Sequence, residues 1–321
     1  MMNWEKLGQI FEFNKSSLAS TFVSHTQSPQ AIIYEDFVRI YFSTRKTDAN
    51  FFYISHIQYV DMDLEMKTIL QTSQHEVISM GNLGCFDEHG IFPLSPVRVN
   101  DKIYAYTSGW SRRNAVSVET GIGLVISDNE GYTFKRFGNG PVLTSSLKEP
   151  FLIVDGFVRQ YNNRFYMYYI FGKKWTEETE TKVPERVYKI GMASSDDGIN
   201  WKKYEGRQII EDLIGDEECQ ALPTIIYRNG VYHMYFCYRF ATDFRTNPNR
   251  GYRLGYAYST NLIEWVRDDK SKGIEFGKTG EWDSDMMCYP HLMEINNKVY
   301  MLYNGNNFGK DGFGLAVLKE T

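Results

Sequence analysis

The sequence has little of what would fix a metal or redox centre by spacing. It holds only four cysteines, Cys85, Cys219, Cys237 and Cys288, and none forms a CxxC pair. Neither a zinc site nor a dithiol motif is called for, so no metal and no cofactor is assigned. Basic runs are missing too: no Lys/Arg stretch is longer than two, and the net charge is −5. A stripe that tracks phosphates leaves the opposite signature, so nucleic acid is not an expected partner. No apolar run approaches the ~20 residues of a membrane span. The opening residues Met1-Met2-Asn3-Trp4-Glu5-Lys6 carry no basic segment leading into an apolar one, which predicts no secretory signal. With so few thiols, a reducing, cytoplasmic setting is expected. No stretch shows a convincing 3.6-residue apolar period, so helical folds are not expected.

What the chain does have is aromatic side chains, 16% of its residues, and these favour pleated, half-buried surfaces. It also has an internal repeat. A proline, a short apolar strand, a polar turn and a Tyr-rich strand recur five times, led by Pro29, Pro93, Pro150, Pro223 and Pro290. Successive prolines stand about 65 residues apart, roughly a long four-stranded blade. The turns are Glu35-Asp36, Asn100-Asp101, Asn162-Asn163, Asn229-Gly230 and Asn296-Asn297, mostly the Asn/Asp/Gly pairs that close hairpins. Third strands follow at Gly121–Ser127, Tyr188–Ser194, Tyr252–Ser259 and Gly312–Val317, with one expected within Tyr53–Tyr59. Fourth strands open on an aromatic: Phe134-Lys135-Arg136, Trp201-Lys202-Lys203 and Trp265-Val266-Arg267. Antiparallel sheets arranged radially protect their edges. The pattern therefore predicts an all-β, five-bladed β-propeller spanning residues 1–321 as one domain. Blade five lacks its aromatic fourth strand, and Trp4-Glu5-Lys6 supplies a matching fragment, so the N-terminal strand is expected to close the last blade. The polar insertions Lys173–Arg186 and Ala241–Arg250 are expected to be loops on one face.

In such a ring the segments leading into the inner strands are expected to converge at one channel mouth. They carry His25, Asp87, Glu88, His89, Glu149, Glu218, Asp283 and Asp285. Carboxylates gathered from distant parts of the chain suit glycosidic chemistry, which needs carboxyl groups flanking the scissile bond. A residue ahead of a strand also serves as a turn cap, so each carries a structural alternative. Trp110 and Trp175 lie where an aromatic platform for a sugar is possible, Asn304 and Asn306 where a hydroxyl could be bound, and Tyr289 is a further substrate-binding candidate.

The residues also carry a family resemblance. Ser195-Asp196-Asp197-Gly198-Ile199-Asn200-Trp201 is similar to the outer hairpin of the five-bladed glycoside hydrolase superfamily that includes families 32, 43, 62, 68 and 130. The chain most resembles bacterial members often encoded with surface-polysaccharide genes, at His25-Thr26-Gln27-Ser28-Pro29, Arg39–Arg45, Phe86–Gly90, Trp282–Pro290 and Tyr303–Asn306. The resemblance implies a base Asp, an orienting Asp and an acid Glu from different blades. By blade position these are Asp87, Asp283 or Asp285, and Glu218. The family-43 base Asp beside the first-blade proline is absent, since Ser28 stands there. The family-130 phosphorylase pattern, also implied, needs one protein carboxylate with phosphate held by basic groups. Arg39, Arg45, Arg239 and His291 are candidates for that set. The expected ligand is a small carbohydrate or sugar phosphate. Hydrolysis, phosphorolysis and binding alone stay open, as does the oligomeric state.

Overall fold

The computed structural model describes residues 2–176 and 183–319. Its strands fall into five four-stranded antiparallel sheets. Strand β1 (Trp4–Glu12) belongs to the last of them. Blade one is β2 (Ser24–Ile33), β3 (Phe37–Thr47), β4 (Tyr53–Asp63) and β5 (Ile69–Thr72). Blade two is β6 (Ile91–Val99), β7 (Lys102–Arg112), β8 (Val118–Ser127) and β9 (Lys135–Arg136). Blade three is β10 (Val154–Tyr161), β11 (Arg164–Thr176), β12 (Glu185–Ser195) and β13 (Lys202–Lys203). Blade four is β14 (Glu218–Arg228), β15 (Val231–Phe240), β16 (Arg253–Ser259) and β17 (Val266–Arg267). Blade five is β18 (Cys288–Ile295), β19 (Lys298–Asn304), β20 (Gly312–Leu318) and then β1, so the order is β1-β20-β19-β18. Trp4 pairs with Leu318 and Lys6 with Ala316. The N-terminal segment thus closes the ring as the repeat predicts. Among the described residues no helix is long and apolar enough to cross a membrane.

The aromatic richness has a repeated use between blades. Each outer-strand aromatic meets the edge or face of a tyrosine on the second strand of the preceding blade. Phe134 meets Tyr41 at 5.7 Å, Trp201 meets Tyr106 at 5.6 Å, Trp265 meets Tyr168 at 5.7 Å and Trp4 meets Tyr235 at 5.6 Å, all steeply tilted. Edge-to-face pairs of this kind contribute ~0.5–1.5 kcal/mol beyond burial. The same tyrosines donate their hydroxyls to backbone carbonyls of Gly131, Gly198, Leu262 and Lys272. The junction of blades five and one lacks the motif and packs Phe11, Phe42 and Phe313 instead.

A second device repeats within blades two to five. A carboxylate ahead of, or opening, the inner strand pairs with a cation on that blade's own outer strand. The pairs are Asp87 with Arg136 (2.5 Å), Glu149 with Lys203 (2.9 Å), Glu218 with Arg267 (2.6 Å) and Asp283 with Lys6 (2.7 Å). All four carboxylates are buried, and buried charges require such partners. Each cation lies two residues after the blade's outer-strand aromatic, at Phe134, Trp201, Trp265 and Trp4. One short motif therefore stitches a blade to its neighbour and latches it to its own entry segment.

The inner strands share a kink. Register slips by a bulge after Gln27, Ile91, Val154, Ala221 and Cys288. Ser28, Asp155, Leu222 and Tyr289 at these kinks have positive φ of 55°, 58°, 44° and 57°. Blade two makes its kink at Phe92-Pro93. In blade three the residue after the kink is Gly156, so Pro150 is not the counterpart of the other leading prolines and lies ahead of the strand.

Candidate active site

A bulge re-aims a side chain, and non-glycine residues held at positive φ cluster at functional sites. Here three kink residues, Phe92, Asp155 and Tyr289, line a central cavity of about 640 Å³. Tyr53, Trp110, Tyr188, Phe244, Tyr252 and Phe308 complete its aromatic wall. This size and lining are those of a small-molecule site. Of the expected loop Lys173–Arg186, residues 173–176 and 185–186 extend β11 and β12 and residues 177–182 lie outside the described residues. The loop Ala241–Arg250 brings Phe244 and Arg245 to the mouth.

Among the described residues that line the cavity, Asp155 is the one carboxylate. It is buried, and its backbone N–H donates to Ser108 Oγ at 2.8 Å. Burial pushes its carboxyl up to about 7, against the opposing pull of Arg186 and the Leu222 backbone N–H. It therefore carries its proton for much of the time at neutral pH, the state required of a general acid.

Facing it is a strongly basic lining: Arg45, Arg186, Arg239, Arg245 and Lys310. Arg45 donates to Gln27 Oε1 at 2.8 Å. Arg186 donates to Ser117 Oγ at 2.8 Å, and Arg245 pairs with Glu185. Arg239 lies over the Phe244 ring at 3.4 Å and donates to the Phe240 and Ala241 carbonyls. His25 sits among these charges, its backbone N–H donating to the Lys310 carbonyl at 3.2 Å. Burial, then Arg45, then Lys310 lower its pKa to about 3. Its ring is therefore a neutral hydrogen-bonding group, with Nδ1 2.6 Å from Ser24 Oγ. Among the described residues no group of three or more His, Cys, Asp or Glu side chains is gathered as for a metal.

Of the residues singled out in the sequence, His25, Arg45, Trp110, Arg239 and Tyr289 meet in this cavity. The carboxylates expected to do the chemistry do not. Asp87, Glu149, Glu218 and Asp283 are consumed by the latches above. Glu218 also accepts from the Leu213 and Ile214 backbone N–H groups, and Glu149 from Tyr169 and Gly206. Asp285 is exposed and accepts from Ser284 Oγ. Arg39 is fully buried between blades, forked onto Asp61 by two 2.7 Å bonds and covered by Tyr59 and Tyr132. Glu88 accepts from the Gly84 N–H, and His89 stacks behind Trp110 at 5.7 Å. Asn304 bridges Ser28, Thr26 and Gly312 backbone groups, and Asn306 accepts from the Asp285 and Met286 amides. Both asparagines are backbone braces. His291 is deeper in the channel, its Nε2 accepting from the Ala31 N–H at 3.0 Å. Trp175 packs on Phe151.

Asp155, Arg186, Tyr188, Phe244, Arg245, Tyr252 and Lys310 went unnoticed in the sequence. A signal for Asp155 exists. Ser28, Asp155, Leu222 and Tyr289 each lie seven residues ahead of the first turn residue, Glu35, Asn162, Asn229 and Asn296. Counting back from the turn, rather than on from a proline, finds the kink.

Three comparisons with known proteins bear on the site. No family model matches the chain. The chain is 32% identical to the uncharacterised proteins Rv1502 and MT1551 of two Mycobacterium tuberculosis strains, over 99% of this chain and all of each relative. Over 126 residues, 38% of this chain and 36% of the relative, it is 29% identical to a 1,2-beta-oligomannan phosphorylase of Thermoanaerobacter sp. strain X514. A solved glycoside hydrolase structure superimposes with a TM-score of 0.76 at 16% identity, covering 98% of this chain and 92% of that one. The fold is a five-bladed propeller like that of the solved glycoside hydrolase, and the chain belongs to one family with Rv1502 and MT1551.

Proposed function

We propose that the cavity cleaves a glycosidic bond by phosphorolysis, with Asp155 as the general acid. The observation that carries this reading is the lining itself: one buried carboxyl pushed up to about 7, facing a set of cations. Hydrolysis by the usual scheme needs a second carboxyl group to activate water or attack the sugar. Phosphate is its own nucleophile and needs cations to hold it. Arginine presents a fork that matches phosphate, and Arg45 with Lys310 and the neutral His25 ring offers such a cradle on the blade-one and blade-five side. Asp155 stands across the ring on blade three. The partial likeness to an oligomannan phosphorylase supports the same reading.

In this scheme Asp155 gives its proton to the glycosidic oxygen as that oxygen leaves the anomeric carbon. A phosphate oxygen bonds to the same carbon, giving a sugar 1-phosphate and a free hydroxyl product. The proton released by the hydrogen phosphate dianion restores Asp155. The aromatic wall offers faces for sugar rings and keeps water away. Residues 1–321 act in it as one domain. The four free cysteines support a reducing, cytoplasmic setting.

The test is incubation with a panel of glycosides, β-mannosides first, with and without inorganic phosphate, read by mass spectrometry. Phosphate-dependent sugar 1-phosphate is the expected product, absent in Asp155→Asn. Equal cleavage without phosphate would replace the reading by hydrolysis, and sugar binding with no turnover would replace it by a binding propeller.

A further inference from the structure

Among the described residues the charges of the cavity do not balance with one bound phosphate. Arg245 has Glu185 and Arg186 acts on Asp155. Among the described residues no carboxylate lies within ion-pair distance of Arg45, Lys310 or Arg239. The first two gather at His25, whose ring feels both. A single phosphate dianion neutralises those two and leaves Arg239 over.

Arg239 is only 2% exposed. It rises from the end of β15 on blade four, stacked on Phe244, with the Tyr188 and Tyr252 rings at 5.4 and 5.3 Å. Its Nη1 reaches two backbone carbonyls and its Nε has no partner. A buried guanidinium without a counter-charge carries a large desolvation cost. Most buried arginines are paired. It stands on blade four, whereas Arg45 stands on blade one and Lys310 on blade five. It is thus a second position, separate from the first, where an anion from outside would complete the lining.

We infer that the cavity holds two anionic groups at once, so that the glycoside it takes is itself anionic, its phosphate, sulfate or carboxylate seated at Arg239 in a cage of Tyr188, Phe244 and Tyr252. This rests on the phosphorolytic reading for what fills the Arg45 and Lys310 position. The cage suits a planar fork meeting an oxyanion beside sugar carbons: the rings cover apolar edges while the guanidinium supplies charge-assisted hydrogen bonds, the stronger kind. A neutral oligosaccharide leaves Arg239 uncompensated.

Calorimetric titration of the full chain tests this, with inorganic phosphate, a hexose 6-phosphate, a hexuronate and the neutral hexose as probes. The hexose 6-phosphate or the hexuronate should bind at least about tenfold more tightly than the neutral sugar. Those two arms tell a phosphoryl from a carboxyl group. Saturating inorganic phosphate should leave that affinity within about fivefold, since the two anions occupy different positions and screening limits their repulsion. Arg239→Gln should erase the preference for the anionic sugar and leave inorganic phosphate binding intact, while Arg45→Gln should do the reverse. Full competitive displacement of the sugar phosphate by inorganic phosphate, or an undiminished preference in Arg239→Gln, overturns the inference. The wild-type competition decides it even where the Arg239 variant does not fold. A chain that binds both probes together yet makes no sugar 1-phosphate would reject phosphorolysis and keep the two anion positions.

Discussion

Replacing Asp155 by asparagine removes a titratable proton from the middle of the molecule without changing its shape much. The carboxyl is pushed from an ordinary 3.8 up to about 7 by burial. Because its folded-state pKa is above the unfolded one, its contribution to stability is full below about pH 4 and is lost as pH rises through about 7. Each unit corresponds to ~1.36 kcal/mol, so ionising Asp155 in place costs about 4 kcal/mol. The asparagine variant has no such loss. Unfolding entropy of ~2.1 cal/mol/K per residue gives about 0.7 kcal/mol per degree for 321 residues. About two of those units are lost between about pH 5 and pH 9, ~2.7 kcal/mol, so the variant should gain about 4 °C in Tm on the wild type across that range. Scanning calorimetry of both proteins across that range reads the difference, in which all other titrating groups cancel. Turnover should fall by 10²–10⁴-fold in the variant, as for a lost general acid. Wild-type rate should decline above about pH 7, tenfold per unit, as the proton is lost. A Tm difference that does not change with pH would refute the account of Asp155 as a carboxyl kept neutral by burial.

The closing strand makes its own prediction: Trp4→Ala, which loses a buried ring and its 2.7 Å bond to Tyr235, should cost ~3–5 kcal/mol and lower Tm by about 5–7 °C in thermal melts. Glu218→Gln should act on stability, by ~1.5–3 kcal/mol, because Arg267 loses its 2.6 Å charge-assisted bond while keeping Asp269 at 2.9 Å; its turnover per folded molecule should match the wild type, and a loss of turnover with unchanged Tm would return Glu218 to the chemistry. His25 should stay neutral throughout about pH 5–8 because its pKa is lowered to about 3. Its ring carbon shifts in NMR should be flat over that range, and Arg45→Gln should raise the titration midpoint by removing one of the causes.

The fold was legible because its signals are local and repeated. An Asn/Gly turn between two Tyr-rich strands says hairpin wherever it stands, and five copies say ring. The closure of blade five was legible for the same reason, since Trp4-Glu5-Lys6 repeats the aromatic-then-cation motif of the other outer strands. About a third of the cavity's named side chains, His25, Arg45, Trp110, Arg239 and Tyr289, lie at strand ends that any radial arrangement brings to one mouth.

The carboxylates were expected at the channel mouth because the sequence does not give radius. Asp87, Glu149, Glu218 and Asp283 stand close in sequence to the inner strands, and nearness in sequence suggested nearness to the axis. Their partners say otherwise, since Arg136, Lys203, Arg267 and Lys6 lie on the outermost strands. The chain enters each blade from its rim, and a carboxylate on that approach is within reach of the rim cation before the strand begins. A regular series of carboxylates, each matched by a cation at a fixed place in the repeat, is what a repeated structural latch looks like. The residue proposed as the general acid breaks the series. Asp155 stands where Ser28, Leu222 and Tyr289 stand in other blades, so only one blade in five carries an acid there. It belongs to the kink that points inward. In a repeat fold, structure is read from what the blades share, and chemistry from the one position where a single blade departs from the rest.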